Sequence, residues 1–200
     1  MISHQYRCIF IHQRKTAGYS IISNFGFTDR QPEWHAFNEG TLSKEWLTKD
    51  KVAPGYRIFT VIRNPWDRFN SGWKYLKAYR DRPLADVLRD LPKSGHDFRH
   101  LTRPQLDILT DATSRFVPDY VLRFEHLAED YARFCELIDK PERTLPRLNS
   151  TKHGHYSKYY DATTIEMVRD RFRKDVEFFG YDYLGAEVKQ ANLAGKLLLA

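Results

Sequence analysis

Apolar residues gather in three short runs, which predict the strands of a sheet. The runs cover residues 6–12, 57–63 and 120–124 and are rich in β-branched and aromatic side chains. Runs of this length and composition are typical of buried β-strands.

Elsewhere the apolar residues recur every three or four positions, a spacing that predicts amphipathic helices. The three clearest sets are Phe69, Trp73 and Leu76; Leu127, Tyr131, Phe134 and Ile138; and Ile165, Val168, Phe172, Val176 and Phe179. Strands that alternate with helices predict an α/β fold, in which a mainly parallel sheet is covered on both faces.

Length and composition set the scale of the molecule. With 200 residues, 42% of them hydrophobic, the chain can bury one sizeable core, so we expect a single domain over residues 1–200. No apolar stretch approaches the roughly 18 to 20 residues that cross a bilayer, and the first residues do not resemble a signal peptide. We therefore expect no transmembrane segment and a soluble, cytoplasmic protein. Cys8 and Cys135 lie in apolar patterns and are predicted to be core thiols.

The net charge of +6 favours a polyanionic partner, which could be a nucleic acid, a membrane surface or a phosphorylated cofactor. The composition does not choose among these. The basic residues are dispersed among 26 acidic ones rather than gathered in one run, so we expect no nucleic-acid partner.

The segment after the first predicted strand has the chemistry of a phosphate cradle. Residues 13–22 suggest a tight turn that runs into a helix, which aims backbone N–H groups and the positive end of the helix dipole at one point. Lys15 adds a charge, Thr16 and Ser20 add hydroxyl groups, and Gly18 permits close approach. An ordinary solvated cap remains an equal alternative for this segment alone. The nucleotide triphosphatase loop is absent, because Lys15 precedes the glycine.

A second candidate anion site follows the second predicted strand. Pro65 suits the first turn of a helix, so Arg63 is expected at the carboxyl edge of the sheet, with Ser71 about two turns along the helix. Arginine can direct two donors at a phosphate and serine can add a third. If this were only a helix start, Asp67 and Arg68 would lie on its solvated face.

Both segments resemble the two nucleotide-binding signatures of the sulfotransferase superfamily, which uses 3'-phosphoadenosine 5'-phosphosulfate (PAPS). The branch is that of the carbohydrate-type and bacterial enzymes, the sulfotransferase family 2-like proteins. Five stretches match in order: residues 12–20, 62–71, 100–105, 121–127 and 156–181. The resemblance covers about residues 6–183, and residues 184–200 are a tail or helix without an assigned role. It implies a P-loop-like, three-layer α/β/α domain.

The resemblance also implies roles for individual residues. Lys15 would be catalytic, and Arg63 and Ser71 would bind the 3'-phosphate of PAPS. Arg14 and Tyr19 depart from the usual proline and threonine, which removes one hydroxyl contact but leaves the backbone N–H groups in place. The residues expected around the 5'-phosphosulfate are Arg14, Lys15, Thr16, Ala17, Gly18, Tyr19 and Ser20. No metal is implied, and the sequence offers no convincing metal-ligand spacing.

The acceptor is expected to carry a hydroxyl group, as in a glycan or a small metabolite, and the sequence does not specify which. Its proton needs a base, for which a neutral imidazole is suited. His35 aligns with a His-Ala segment of related bacterial sequences and is the first choice. Glu33 and Glu39 are rivals, and Glu39 and His100 are candidates for acceptor binding.

Three other functions stay open. A P-loop kinase or nucleotide triphosphatase would share the sheet and the phosphate cradle. A basic nucleic-acid-binding domain would use Trp66, Trp73, Tyr75 and Tyr79 for stacking, although their helical spacing favours core packing. A degenerate sulfotransferase would bind PAPS without turnover, which the departures at Arg14 and Tyr19 allow.

Overall fold

The computed structural model describes residues 1–27, 55–146 and 154–185. Within these ranges the chain forms two compact units. The first contains residues 1–27, 55–62 and 105–146, and the second contains residues 63–104 and 154–185. The predicted residues Glu33, His35 and Glu39, and most of the C-terminal tail, lie outside the described residues.

The secondary structure alternates between strands and helices. The strands are β1 (Ile2–Ser3), β2 (Cys8–Ile11), β3 (Arg57–Ile62) and β4 (Tyr120–Arg123). The helices are α1 (Gly18–Phe25), α2 (Pro65–Tyr75), α3 (Leu84–Arg89), α4 (Gly95–Asp97), α5 (Leu106–Leu109), α6 (Leu127–Leu137), α7 (Ala162–Arg171) and α8 (Arg173–Phe179). Helix α4 continues into a π-helical turn, Phe98–Thr102, and single 3₁₀ turns occur at Phe124–His126 and Tyr156–Tyr159.

The first unit holds a four-stranded sheet in the order β1-β2-β3-β4. Strands β2, β3 and β4 are parallel, and β1 pairs with β2 in the antiparallel sense. The predicted α/β fold with a mainly parallel sheet is therefore confirmed, and all three predicted strands are present. Strand β1 is too short for a sequence pattern to indicate. The three-layer, P-loop-like arrangement remains a prediction.

One face of the sheet packs against α1 and α6 through aromatic rings. The ring of Phe59 lies 5.0 Å from that of Phe10 and 4.2 Å from that of Phe134, measured between centroids. Helix α1 adds Ile21 and Ile22 to this core. The strand residues of the other face are also buried, as expected for a parallel sheet, and include Ile9, Ile11, Ile58, Thr60 and Val121.

The second unit is built around α2. Trp66 donates from its indole nitrogen to the carbonyl of Ile165 at 3.0 Å, and the ring of Phe69 meets that of Phe172 edge-on. The sequence pattern over residues 165–179 suggests one helix, but the structure has two, α7 and α8. The helix breaks at Phe172, whose φ of −110° and ψ of 27° are not helical. Its side chain is fully buried and its ring contacts that of Phe69 on α2.

Within the described ranges, no helix combines the length and apolar character that a bilayer crossing requires.

Candidate functional site

The loop between β2 and α1 has left-handed residues of the kind that form an anion-binding nest. Lys15 and Ala17 both adopt left-handed conformations, with φ of 69° and 60°, whereas Thr16 between them does not. Residues other than glycine rarely take this conformation, because Cβ then crowds the backbone. Alternation of the two hands turns successive N–H groups toward one side of the chain, where they can surround an anion.

Helix α1 begins where this loop ends. The amides of Ser20 and Ile21 both donate to the carbonyl of Ala17, at 3.0 and 3.4 Å. The amides of Gly18 and Tyr19 come too early to reach a helical carbonyl, and the first turn contains no acidic side chain. The positive end of α1 therefore joins the nest, and the two together suit a phosphate or sulfate group.

Gly18 is tightly enclosed by the chain itself. An ideal Cβ placed on Gly18 would lie 2.0 Å from Nε2 of His12, the residue that follows β2. We expected this glycine to allow a ligand to approach. It also allows the imidazole of His12, only 5% exposed, to pack under the first turn of α1.

Buried polar side chains brace the same loop. The hydroxyl of Thr16 donates to the carbonyl of Gln13 at 3.0 Å, and Nε2 of Gln13 donates to the carbonyl of Gln105 at 3.3 Å. Thr16 and Gln13 are almost completely buried, and Ser20 is only 5% exposed. In this structure Thr16 thus holds the turn together, a role that its residue type alone does not reveal.

The remaining loop side chains are more accessible. Arg14 and Lys15 are partly buried, and Tyr19 has 57% of its surface exposed. The Tyr19 ring meets that of His12 at a steep angle, with 6.4 Å between centroids. An exposed aromatic ring therefore stands at the first turn of α1, at the position where relatives were expected to carry threonine.

The second candidate segment begins directly after β3, which ends at Ile62. Asn64 caps α2, because its side chain accepts from the amides of Trp66 and Asp67 at 3.0 and 3.4 Å. Pro65 occupies the first helical position, as predicted. Asn64 also donates to the carbonyl of Asp182 at 2.8 Å. These contacts fix the backbone from which Arg63 extends.

Arg63 is paired with a carboxylate one helical turn later. Its Nε donates to Oδ2 of Asp67 at 2.8 Å, and the two side chains are only 11% and 20% exposed. If the segment were only a helix start, Asp67 would lie on a solvated face. Instead it contacts the arginine predicted to bind phosphate. In the sequence, the spacing of four residues between Arg63 and Asp67 was the signal that could have indicated this pair.

Arg68 is buried and does not lie on a solvated face, so that interpretation of it was wrong. Only 2% of the residue is exposed, and its guanidinium donates to the carbonyl of Arg103 and lies over the ring of Phe172. Burial lowers the pKa of Arg68 to about 10, while the fully buried carboxylate of Asp175 acts in the opposite direction. Arg68 therefore remains charged at neutral pH inside the second unit.

Ser71 lies on α2 beside the π-helical turn. It is 8% exposed. An ideal Cβ on its neighbour Gly72 would meet the carbonyl oxygen of His100 at 2.5 Å, so α2 and the turn are in close contact. His100 is buried and its ring lies against those of Tyr75 and His96, at 5.4 and 4.1 Å. Such turns often occur at functional sites, and sequence periodicity gave no sign of this one.

The structure thus groups Lys15 to Ser20 on one loop and helix of the first unit, and Arg63, Ser71 and His100 within the second. Among the described residues, no cluster of three or more His, Cys, Asp or Glu side chains could hold a metal ion. Sequence reasoning gave no functional role to four residues that support the predicted ones or interact with each other. They are Gln13, Asp67, Arg68 and Asp175.

Comparison with known proteins assigns the family. Residues 1–182 match the sulfotransferase family, so the chain belongs to it, as the sequence motifs indicated. A relative from Archaeoglobus fulgidus, described as an uncharacterized protein, is 29% identical over 119 residues, which are 56% of this chain and 96% of the relative. No solved structure gives a significant match.

Proposed function

We propose that the protein transfers a sulfuryl group from PAPS to a hydroxyl group of an acceptor. Membership of the sulfotransferase family supports transfer chemistry in general. The observation that supports an anionic donor is the left-handed turn at Lys15 and Ala17 that opens α1, since this turn suits a tetrahedral anion such as the 5' end of PAPS.

We propose that each of the two segments binds one anionic end of this donor. In the first unit, the amides around Gly18 and the charge of Lys15 would hold the 5'-phosphosulfate, together with Arg14, Thr16, Ala17, Tyr19 and Ser20. In the second unit, Arg63 and Ser71 would hold the 3'-phosphate. The 3'-phosphate distinguishes PAPS from common adenine nucleotides, so this contact would supply donor selectivity.

In the proposed reaction, the acceptor oxygen forms a bond to sulfur while the bond from sulfur to the bridging oxygen breaks. The electron pair of that bond stays with the leaving adenosine 3',5'-bisphosphate, and the acceptor proton passes to a base. Lys15 would neutralise the negative charge that grows on the bridging oxygen, and backbone amides held by the braced loop would need no reorganisation. The reaction requires no metal.

We propose His35 as the base, with Glu39 and Glu33 as rivals, and Glu39 and His100 as contacts for the acceptor. His100 differs from the others because its position is known. Its Nδ1 is 3.0 Å from the carbonyl oxygen of His96, which fixes the orientation of the ring. A glycan or a small hydroxylated metabolite is the proposed acceptor class.

Two measurements test this function. In a thermal-shift assay, adenosine 3',5'-bisphosphate should stabilise the protein more than ATP with Mg²⁺ does, because only a sulfotransferase needs the 3'-phosphate. Greater stabilisation by ATP would support a kinase or nucleotide triphosphatase instead. Transfer of labelled sulfate from PAPS to panels of glycans, phenols and small metabolites would then identify the acceptor.

A non-catalytic PAPS-binding protein is the second candidate, favoured by one observation. The hydroxyl of Thr16 donates to the Gln13 carbonyl, and Tyr19 offers no aliphatic hydroxyl, so the loop has fewer hydroxyl donors for the anion than the family pattern would supply. Sulfate transfer that is lost in Lys15→Ala or His35→Ala would exclude this candidate. Binding of adenosine 3',5'-bisphosphate without transfer to any acceptor would support it.

A further inference from the structure

We propose that Asp67 is a positioning residue that orients the guanidinium of Arg63 toward the 3'-phosphate and thereby sets the preference for a 3'-phosphorylated nucleotide. The inference rests on the proposed function, since it concerns the same nucleotide. It adds a residue whose role neither the motif nor the family assignment supplies. The observation behind it is the contact between Asp67 and Arg63.

The atoms in this contact indicate that Asp67 orients the guanidinium of Arg63 rather than competing with the phosphate for it. Asp67 accepts from Nε of Arg63, the nitrogen nearest the side-chain stem, at 2.8 Å. A phosphate is best held by two parallel N–H groups, for which the two terminal nitrogens of a guanidinium provide a fork. A bond to Nε fixes the plane and direction of that fork.

Asp67 can act as a fixed support because its own backbone is held. Its amide donates to the side chain of Asn64, the residue that caps α2. The carboxylate lies in the first turn of α2, where the positive end of the helix dipole favours a negative charge. Arg63 immediately precedes this cap, so the chain holds both partners at the same helix end.

Pre-orientation matters because arginine has a long, flexible side chain. Ordering such a side chain on ligand binding costs free energy, and a partner that orders it beforehand removes part of that cost. Arg63 is only 11% exposed at its side chain in the presence of this partner. Asp67 would therefore strengthen phosphate binding, although its own negative charge repels the phosphate.

The charge of Asp67 has a second effect, which concerns the repulsion between Arg63 and Arg68. The charge of Arg63 is among the causes that lower the pKa of the buried Arg68, so the two guanidinium groups interact unfavourably. A carboxylate beside Arg63 offsets this repulsion before any ligand arrives. Without Asp67, this offset would be lost and the repulsion between Arg63 and Arg68 would act on the orientation of Arg63.

The test compares nucleotide selectivity in the full chain. Isothermal titration calorimetry would measure the Kd of adenosine 3',5'-bisphosphate and of adenosine 5'-monophosphate for the wild type, Asp67→Ala and Asp67→Asn. We expect Asp67→Ala to reduce the preference for the bisphosphate by about 2- to 12-fold, the usual effect of ordering one long side chain. Asp67→Asn retains an acceptor of the same length, so its preference should lie between those of the wild type and the alanine variant.

The matched control is Asp86→Ala. Asp86 lies in the first turn of α3 and pairs with Arg89 at 2.8 Å, but both side chains are more than half exposed. This variant should leave both dissociation constants unchanged, because the pair lies outside the two anion segments. It also reports the general effect of removing one carboxylate from a helix start.

The remaining outcomes overturn the inference in distinguishable ways. If the wild type shows no preference for the bisphosphate, the proposed function fails and the role of Asp67 fails with it. If the wild type shows the preference but the folded Asp67 variants keep or increase it, only the role of Asp67 is wrong. Should Asp67→Ala not fold, an unchanged preference in Asp67→Asn would decide against the inference and a reduced one would support it.

Discussion

The imidazole of His12 occupies the space that a side chain at position 18 would need. An ideal Cβ on Gly18 lies 2.0 Å from Nε2 and 2.1 Å from Cδ2 of His12. Gly18 does not have a positive φ, so the backbone conformation alone would accept another residue. Glycine is required here because the residue after β2 packs against the first residue of α1, which closes the loop between them.

Gly18→Ala should therefore destabilise the protein and weaken anion binding. The added methyl group would displace His12 or shift the start of α1, and such overpacking typically costs about 1–3 kcal/mol. Urea unfolding would measure the loss of stability, and a thermal-shift titration with adenosine 3',5'-bisphosphate would measure the loss of binding.

Two further variants test whether the clash with His12 causes the loss of stability. Gly185→Ala is the control, because an ideal Cβ there meets nothing closer than 3.9 Å. His12→Ala should recover much of the stability lost in Gly18→Ala when the two are combined, since it removes the clashing ring. Additive losses in the double variant would show that His12 is not the source of the strain.

Lys15→Met should impair turnover much more than it impairs folding. Methionine keeps most of the length of the side chain but has no charge for the leaving oxygen, and loss of one such stabilising group typically lowers kcat by about 10²–10³-fold. The measurement is sulfate transfer from PAPS under saturating donor. Lys174→Met, on the exposed side of α8, is the control and should keep full activity. A wild-type rate in Lys15→Met would remove Lys15 from the reaction.

The sheet and the first anion segment could be predicted because their signals are local. Each parallel strand is a short apolar run. The position of Lys15 after β2, and of Gly18 at the start of α1, follows from the end of the first such run. The left-handed conformations of Lys15 and Ala17 could not be predicted, because neither residue favours them intrinsically. They depend on the braced loop, in which Thr16 bonds to Gln13.

The second unit was less predictable because its interactions join residues distant in sequence. The carbonyls of Thr102 and Arg103, at the end of the π-helical turn, accept from Arg171 and Arg68 respectively. No periodic pattern indicates such contacts between side chains and backbone. Charged residues are rarely buried, so a sequence argument assigns Arg68 to solvent. Its burial is made possible by partners distant in sequence, namely the Arg103 carbonyl, the Phe172 ring and the charge of Asp175.

Asp175→Asn should destabilise the protein strongly. Asp175 is fully buried, and its charge supports the protonated form of the buried Arg68. Removal of this charge leaves that of the buried Arg68 less compensated, and the cost should approach the roughly 3–5 kcal/mol that is typical of breaking a buried ion pair. Urea unfolding of the variant would measure the loss.

Asp170→Asn provides the comparison, because Asp170 forms an exposed ion pair with Arg173 whose side chains are 67% and 63% accessible. Exposed pairs of this kind contribute about 0–1 kcal/mol. If the two variants lost similar stability, Asp175 would not be compensating a buried charge.

The two buried thiols should make stability fall at alkaline pH. Burial raises the pKa of Cys8 to about 12 and raises that of Cys135, whereas both thiols ionise near 9 once the chain unfolds. Above this value the unfolded state releases protons that the folded state retains, so the free energy of unfolding decreases as pH rises. For Cys8 the decrease occupies the window between about 9 and about 12 and reaches at most about 1.4 kcal/mol per pH unit.

Urea unfolding at a series of pH values between about 8 and 10 measures this effect while limiting the contribution of tyrosine ionisation in the unfolded state. Cys8→Ala should show a shallower decrease than the wild type, because one of the two thiols no longer titrates. Its stability should also be lower below pH 9, since the substitution removes a fully buried sulfur from the core. Equal slopes for the two proteins would mean that Cys8 reaches solvent in the folded state, which is incompatible with its position on β2.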